Sequence, residues 1–273
     1  MNAVVTARTV ANNPVLRRET EGAVALLILN RPASRNSLSE ALLIELNEAL
    51  ASLGHDASIR AVVIAGEGPT FCSGHDLKEL TERRTDPDGG RGFFTTVWNL
   101  CTTMMMSLVR LPQPVIACVQ GAASAAGCQL VASCDLAVAA EEATFATPGV
   151  NIGLFCSSPM VALTRNVAPK HALEMLLTGD ALSAADALRV GLVNRVVPTG
   201  EERSEAMRLA RHIATKSPAA IRLGKKAFHT EVEMSLADAY AYASRIMVEN
   251  MLGADAKEGI EAFLAKRPPQ WGG

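Results

Sequence analysis

Up to about residue 197, the apolar positions fall into short continuous runs separated by amphipathic stretches. Residues 23–29, 60–65, 114–119 and 135–139 are such runs, with a briefer one at 193–197. An unalternating apolar run of this length predicts a strand buried on both faces. Between the first two runs, Leu42, Leu43, Leu46, Ala49 and Leu50 recur at helical spacing behind a capping-box pattern, Ser37 to Glu40. Residues 93–108 read as a helix ending on Met104, Met105 and Met106, which suit adaptable core packing. Residues 66–69 read as a turn, 85–92 as a mobile loop, and 141–154 as mixed short strand and turn. From Ser157 the pattern is mostly helical, and 201–264 reads as several amphipathic helices.

Two breaks in this pattern carry small residues where a strand hands over to a helix. In 71–80, Gly74 supplies an unusual backbone angle and Asp76 sits near a helix start. In 121–130, a small-residue run separates an apolar strand from a helical-looking 130–134. Small residues let other groups approach the main chain. The first N–H groups of a helix have no intrahelical partner and carry positive partial charge. Such a junction can hold a developing negative charge.

Alternating strands and helices followed by helices alone predict an α/β core with a helical appendage. We divide the 273 residues into a flexible tail, 1–15, a core, 16–200, and a C-terminal helical region, 201–273. Apolar residues at 49% against 20% charged supply a sizeable core. A formal charge of −2 argues against nucleic acid or an anionic membrane as partner. The apolar runs are too short or interrupted to span a bilayer. The six cysteines (72, 101, 118, 128, 134, 156) show no metal-ligand spacing, so we expect no metal and read most of them as buried thiols in a reducing compartment. The first 14 residues lack the pattern of a secretory signal. A cytoplasmic location follows, with an organelle-targeting reading of Arg8, Arg17 and Arg18 as the weaker alternative.

The motifs then point to a family. They are Leu29-Asn30-Arg31-Pro32 followed by Asn36-Ser37-Leu38; Phe71, Ser73, Gly74, Asp76 and Leu77; the 121–130 run with Cys134-Asp135; and Phe145 with Pro148. Further along stand Ile152-Gly153, Thr178-Gly179 with Ala185, Gly191-Leu192-Val193, Val196-Val197-Pro198 and Glu258-Gly259 with Ala262-Phe263. From about Ala23 to Trp271 the chain resembles the crotonase superfamily, also called the enoyl-CoA hydratase/isomerase family. Residues 73–80 and 125–135 resemble one subgroup of it in particular.

The resemblance implies a ClpP-like spiral of ββα turns with a C-terminal helical trimerisation region. It implies a homotrimer or dimer of trimers and an acyl-CoA thioester as substrate, in fatty acid metabolism, with no tightly bound cofactor. It places the two oxyanion N–H donors on Ser73 and Ala126. It places coenzyme A contacts at Ala33 and Arg35, along Gly74, His75, Asp76 and Leu77, and at Phe263 and Lys266, the last two commonly reaching a neighbouring subunit. A lysine beside CoA phosphates has a physical reason.

The departures bear on the reaction. Hydratases of this family use two glutamates, which here become Gln129 and Gly149; a third acidic position of some members becomes Ser157. Neither Gln129 nor Gly149 can transfer a proton near neutrality, though Gln129 can hydrogen-bond a water. His75 titrates near neutrality and is a candidate acid or base. Asn151 and Cys156 are candidates to line the acyl end with Ser157. We expect a lyase-type acyl-CoA enzyme with weak or absent hydration. Decarboxylation of a malonyl-type thioester, or acyl-CoA binding without turnover, are the alternatives.

Overall fold

The computed structural model describes residues 14–272. The expected tail, 1–15, lies almost wholly outside the described residues. The chain opens with β1 (Leu16–Glu21) and β2 (Val24–Leu29), an antiparallel pair turned at Gly22. It continues through α1 (Glu40–Gly54), β3 (Ala61–Gly66), β4 (Thr70–Cys72), α2 (Leu77–Glu82) and α3 (Arg91–Arg110). Next come β5 (Val115–Val119), β6 (Ala122–Ser124), α4 (Ala126–Ser133), β7 (Leu136–Ala140) and β8 (Thr144–Ala146). Then follow α5 (Ser157–Leu163), α6 (Pro169–Thr178), β9 (Leu182–Ser183), α7 (Ala184–Arg189) and β10 (Arg195–Val197). The chain closes with α8 (Glu202–Ala214), α9 (Pro218–Glu231), α10 (Leu236–Met251) and α11 (Ala254–Leu264).

Six strands form one sheet in the order β1-β2-β3-β5-β7-β10, parallel from β2 onward. The smaller sheet is β4-β6-β8-β9. The apolar runs are continuous because the large sheet is covered twice. Leu27, Leu29, Val62, Ile64, Ala117 and Val119 face the main core with α1 and α3. Their neighbours Leu26, Ile28, Val63, Ile116 and Val138 face a second cluster made with Ala206, Met207 and Ala210 of α8. Burying both faces removes the alternation that marks a half-exposed strand.

Three boundaries differ from the sequence reading. The cap of α1 is Ser39, whose hydroxyl accepts from Leu42 N–H. Ser37 instead bonds Arg31 and Asp76, because the preceding turn holds it against the next loop. Helix α4 starts at Ala126, not Leu130; its first residues are too small to show a periodic apolar face. The core does not end at residue 200. Helix α8 covers one whole face of the large sheet and belongs with it, so the separate helical region begins near Pro218. The 85–92 stretch is closed by Asp88, whose carboxylate accepts from Gly90 and Gly92 N–H.

Candidate active site

The two small-residue junctions meet. Strands β4 and β6 are parallel neighbours, so the segments leaving their C-terminal ends lie side by side. Gly74 has φ +93°, and a Cβ there would come within 3.0 Å of Ala125 Cβ, 3.1 Å of Ser124 O and 3.3 Å of Ala126 N. Only glycine permits that contact in that conformation. Behind it, Gly127 is pressed so closely on β4 that a Cβ would fall 2.1 Å from the Cys72 carbonyl oxygen.

Helix α4 is entered through Ala125, which holds φ +50° and ψ −117° without being glycine. Such a conformation costs about 1–3 kcal/mol and persists only where the surroundings impose it. Here the Ala125 N–H donates to Ala146 O at 2.9 Å, tying the bend to β8. Ala126 N–H, the first of the helix, has no partner among the described residues.

The first junction is built by a network. Arg31 Nη2 donates to Asp76 Oδ2 at 2.9 Å, Ser37 Oγ donates to the same oxygen, and Asp76 Oδ1 caps α2 through Lys78 and Glu79 N–H. Partial burial raises the Asp76 pKa, but the hydrogen bonds from Arg31, Ser37 and Glu79 outweigh it and hold the carboxyl below its usual range. Leu38 pairs across to the loop, its N–H donating to Gly74 O and its carbonyl accepting from Asp76 N–H.

This pairing decides which loop amide is free. Ser73 N–H donates to Arg35 O at 3.1 Å, so the expected donor is occupied. The His75 N–H, pointing away from Leu38 in the same register, has no partner among the described residues. Sequence reasoning missed this because Arg35 reaches Ser73 only through a left-handed turn at Arg35 and Asn36, φ +53° and +52°.

The His75 ring lies 4.9 Å from that of Trp98 on α3, a neighbour no motif signalled. Burial pushes the imidazole down to about 4, against a weaker opposing effect of the Leu38 carbonyl, so it is neutral at pH 7. Its Nδ1 is buried and unpartnered among the described residues, as are Gln129 Oε1 and Thr147 Oγ1. Buried polar atoms without partners are uncommon and mark places completed by a ligand or water.

Gly149, the other glutamate position, is filled from outside. A Cβ there would meet Cys156 Sγ and Leu154 O, each at 2.9 Å. The Cys156 thiol therefore stands where a side chain of residue 149 would begin. Burial raises its pKa, with a smaller opposing effect from Gly149 N–H, which removes it as a thiolate nucleophile near neutrality.

The coenzyme A positions divide into two groups. Ala33 and Arg35 sit on the exposed turn beside residues 74–77, and Leu77 is half-exposed. Phe263 and Lys266 stand elsewhere, at the end of α11, with Phe263 82% exposed. They are not gathered with the loops of their own chain. No group of three or more potential metal ligands occurs among the described residues, and no described helix is long and apolar enough to cross a membrane.

Comparison with known proteins follows the same lines. The profile of the enoyl-CoA hydratase/isomerase family matches residues 19–273. A human protein named enoyl-CoA hydratase domain-containing protein 3, mitochondrial, is 47% identical over 258 residues, covering 94% of this chain and 83% of its own. The Xenopus laevis protein of that name is 45% identical over 260 residues, covering 95% and 87%. This bears out the subgroup likeness of 73–80 and 125–135. Among solved structures, an enoyl-CoA hydratase from Mycobacterium smegmatis has TM-score 0.90 at 48% identity, covering 95% of this chain and 99% of that one. The structure of the human domain-containing protein 3 also has TM-score 0.90, at 46% identity over 94% and 100% of the two chains. The crotonase α/β fold is thereby shown. The cytoplasmic location is overturned, since five of these relatives, from rat, human, mouse, Xenopus laevis and Danio rerio, are named mitochondrial. A neutral composition without a secretory signal does not distinguish cytoplasm from organelle.

Proposed function

The chain belongs to the enoyl-CoA hydratase/isomerase family, and on that premise we propose that it binds an acyl-CoA thioester and polarises its carbonyl between two backbone N–H groups. One donor is Ala126 N–H, as the motif implies. The other is His75 N–H in place of Ser73 N–H. The observation that carries this reading is the packing of Gly74 on Ala125 and Ala126, which brings the two unpartnered amides to one place. Fixed donors in a water-poor pocket stabilise the charge of an enolate more than that of the ground-state carbonyl.

Hydration needs more than this. A water must be activated and the α-carbon must receive a proton, tasks carried in hydratases of the family by two carboxylates. Gln129 can only orient a water, Gly149 offers no side chain, and neutral His75 is a poor acid at pH 7. Hydration is accordingly slow. A malonyl-type thioester suits the same pocket better. Its carbon–carbon bond to the carboxylate breaks, CO₂ leaves, the electron pair enters the thioester as an enolate held by the two amides, and water returns a proton to carbon. Filling of the Gly149 place by Cys156 and Leu154 favours this second reading, because it leaves enolate stabilisation intact while closing the carboxylate position.

The coenzyme A moiety lies along Ala33, Arg35 and residues 74–77, with Phe263 and Lys266 contributed across a homotrimer or dimer of trimers. Support for assembly comes from the apolar face left open on α10, α11 and the turn between them, where Leu236, Tyr240, Leu252 and Phe263 are 71–83% exposed. A role in fatty acid metabolism follows from the substrate class.

The test is to follow loss of crotonyl-CoA absorbance and release of CO₂ from malonyl-CoA, with a glutamate-containing family member beside it. Tight thioester binding with hydration about 10² to 10⁴-fold below that control is expected. Hydration at the control's rate would overturn the reading of Gln129 and Gly149. Absence of thioester binding would overturn the two-amide site.

A further inference from the structure

Helix α11 ends on a residue that its stop does not favour. Lys266 N–H donates to Phe263 O at 3.2 Å and Arg267 N–H to Ala262 O at 3.0 Å, the paired bonds of a left-handed helix stop. The residue that takes the left-handed conformation is Lys266, φ +53°. Glycine is the usual occupant, because a Cβ there is strained. In that conformation the lysine side chain leaves the helix end in a direction no helical residue would give it. Lys266 is exposed and forms no ion pair among the described residues.

What imposes the turn is the segment after it. Arg267 Nη1 and Nη2 donate to the two carboxylate oxygens of Glu258 at 2.7 and 2.8 Å, and Gln270 N–H adds a third bond to Glu258 Oε1 at 2.7 Å. These donors hold the Glu258 carboxyl down at about 2, so the arrangement stays charged across the neutral range. An isolated surface ion pair holds little, but a two-pronged one that also captures a main-chain amide fixes a direction.

The segment is pinned again further along. Trp271 Nε1 donates at 2.8 Å to the carbonyl of Thr215, which ends α8, and Gly272 N–H donates at 3.0 Å to Asp255 Oδ1. Asp255 Oδ2 accepts from Ser217 Oγ, the cap of α9. The indole lies against α11 over Gly259, where a Cβ would stand 3.2 Å from two ring atoms. Glycine inside a helix is unfavourable on its own; here it seats the ring. Residues 267–272 thus form a strap folded back along α11 and tied to the α8–α9 turn.

We infer that Glu258, Arg267 and Trp271 are positioning residues for coenzyme A: their strap holds Lys266 in its left-handed turn and so fixes the direction in which the ammonium meets a coenzyme A phosphate. The inference rests on the acyl-CoA function proposed above, in which Lys266 serves a neighbouring subunit. A terminal segment that is not tied down loses its order. Released, the lysine must be ordered anew by each ligand, and binding weakens accordingly.

The experiment is calorimetric titration of the full chain with a non-hydrolysable acyl-CoA and with the matching acyl-pantetheine, which lacks the nucleotide and its phosphates. The unaltered chain is compared with Lys266→Gly, Glu258→Gln, Trp271→Phe, and Glu258→Gln combined with Lys266→Gly, each checked for fold by circular dichroism and for assembly by light scattering. Lys266→Gly should bind acyl-CoA about tenfold more weakly, through loss of one charged hydrogen bond, with Tm unchanged or raised because glycine accepts the turn. Glu258→Gln and Trp271→Phe should each weaken acyl-CoA binding by roughly threefold or more and leave acyl-pantetheine binding unchanged. Glu258→Gln should add nothing to the loss already present in Lys266→Gly, as expected of a residue that acts through the lysine. Undiminished acyl-CoA affinity in Lys266→Gly or in both strap variants, equal losses for the two thioesters, or losses that add to that of Lys266→Gly would each overturn the inference while the acyl-CoA function stands. An unaltered chain that binds neither thioester would overturn that function, and the inference with it.

Discussion

Helix α4 is eight residues long, and its two ends are built on opposite terms. At its start, Ala125 holds a left-handed bend, and neither Ala126 N–H nor Gln129 Oε1 has a partner among the described residues. Just past its end, every strong group is engaged. The Asp135 carboxylate accepts from Val115 N–H at 2.7 Å and Lys225 Nζ at 2.6 Å, with His229 Nε2 at 3.4 Å. Lys225 also donates to the carbonyls of Leu108 and Gln113 and is 7% exposed. Saturation of this kind locks α9 to the core, whereas the open end keeps its donors for something the chain does not itself provide. Buried polar groups thus sort into those that hold the fold and those that await a ligand by whether their partners are already present.

The largest effect should come from breaking the saturated end. Asp135→Ala leaves Lys225 buried without its counter-charge and should lower stability by about 3–5 kcal/mol in denaturant titration. A loss below ~1 kcal/mol would mean the two carbonyls suffice for Lys225, and the contrast between the ends would fail.

Acid should weaken the open end next. His75 titrates near 6.5 when unfolded and is held down to about 4 by burial. Above pH 6.5 neither state is protonated and stability is complete; as pH falls from 6.5 towards 4, the unfolded chain takes the proton first and stability is lost. The slope should amount to on the order of 3 kcal/mol across that window. His75→Phe should flatten it in pH-dependent unfolding, and an unchanged slope would place the acid-sensitive group elsewhere.

Gly127→Ala should cost about 2 kcal/mol by forcing a methyl onto the Cys72 carbonyl. It should weaken thioester binding more than tenfold, since Ala126 N–H moves with the displaced turn; calorimetry with a non-hydrolysable acyl-CoA reads this directly. Ala125→Gly should be the mildest, raising stability by about 1 kcal/mol through relief of the left-handed bend. A destabilised Ala125→Gly chain would show that the bend is unstrained.

How far these features were legible depends on the range of the contacts behind them. The strands 24–29, 61–66 and 115–119 follow from local composition, because burial on both faces leaves an unbroken apolar run. The Asp76 cap and the Gly74 conformation are equally local. The start of α4 at Ala126 was hidden because residues 121–128 have no apolar periodicity to read. The occupation of Ser73 N–H and the filling of the Gly149 place by Cys156 depend on segments that meet only in three dimensions. Lys225 looks in sequence like any surface lysine of an amphipathic helix, and only its three hydrogen-bonding partners, Leu108 O, Gln113 O and Asp135 Oδ2, reveal it as a clasp.

The buried thiols have a practical consequence. All six cysteines are free and buried, and burial holds Cys72, Cys101, Cys118 and Cys128 up at about 12 and raises Cys134 and Cys156 as well. An alkylating reagent at neutral pH therefore meets almost no thiolate until a segment opens. Cys72 and Cys128 sit on the two junctions, Cys118 in the large sheet and Cys134 beside the Lys225 clasp. Timed alkylation read by peptide mass would make the chain its own clock, reporting separately how often each of these places comes apart.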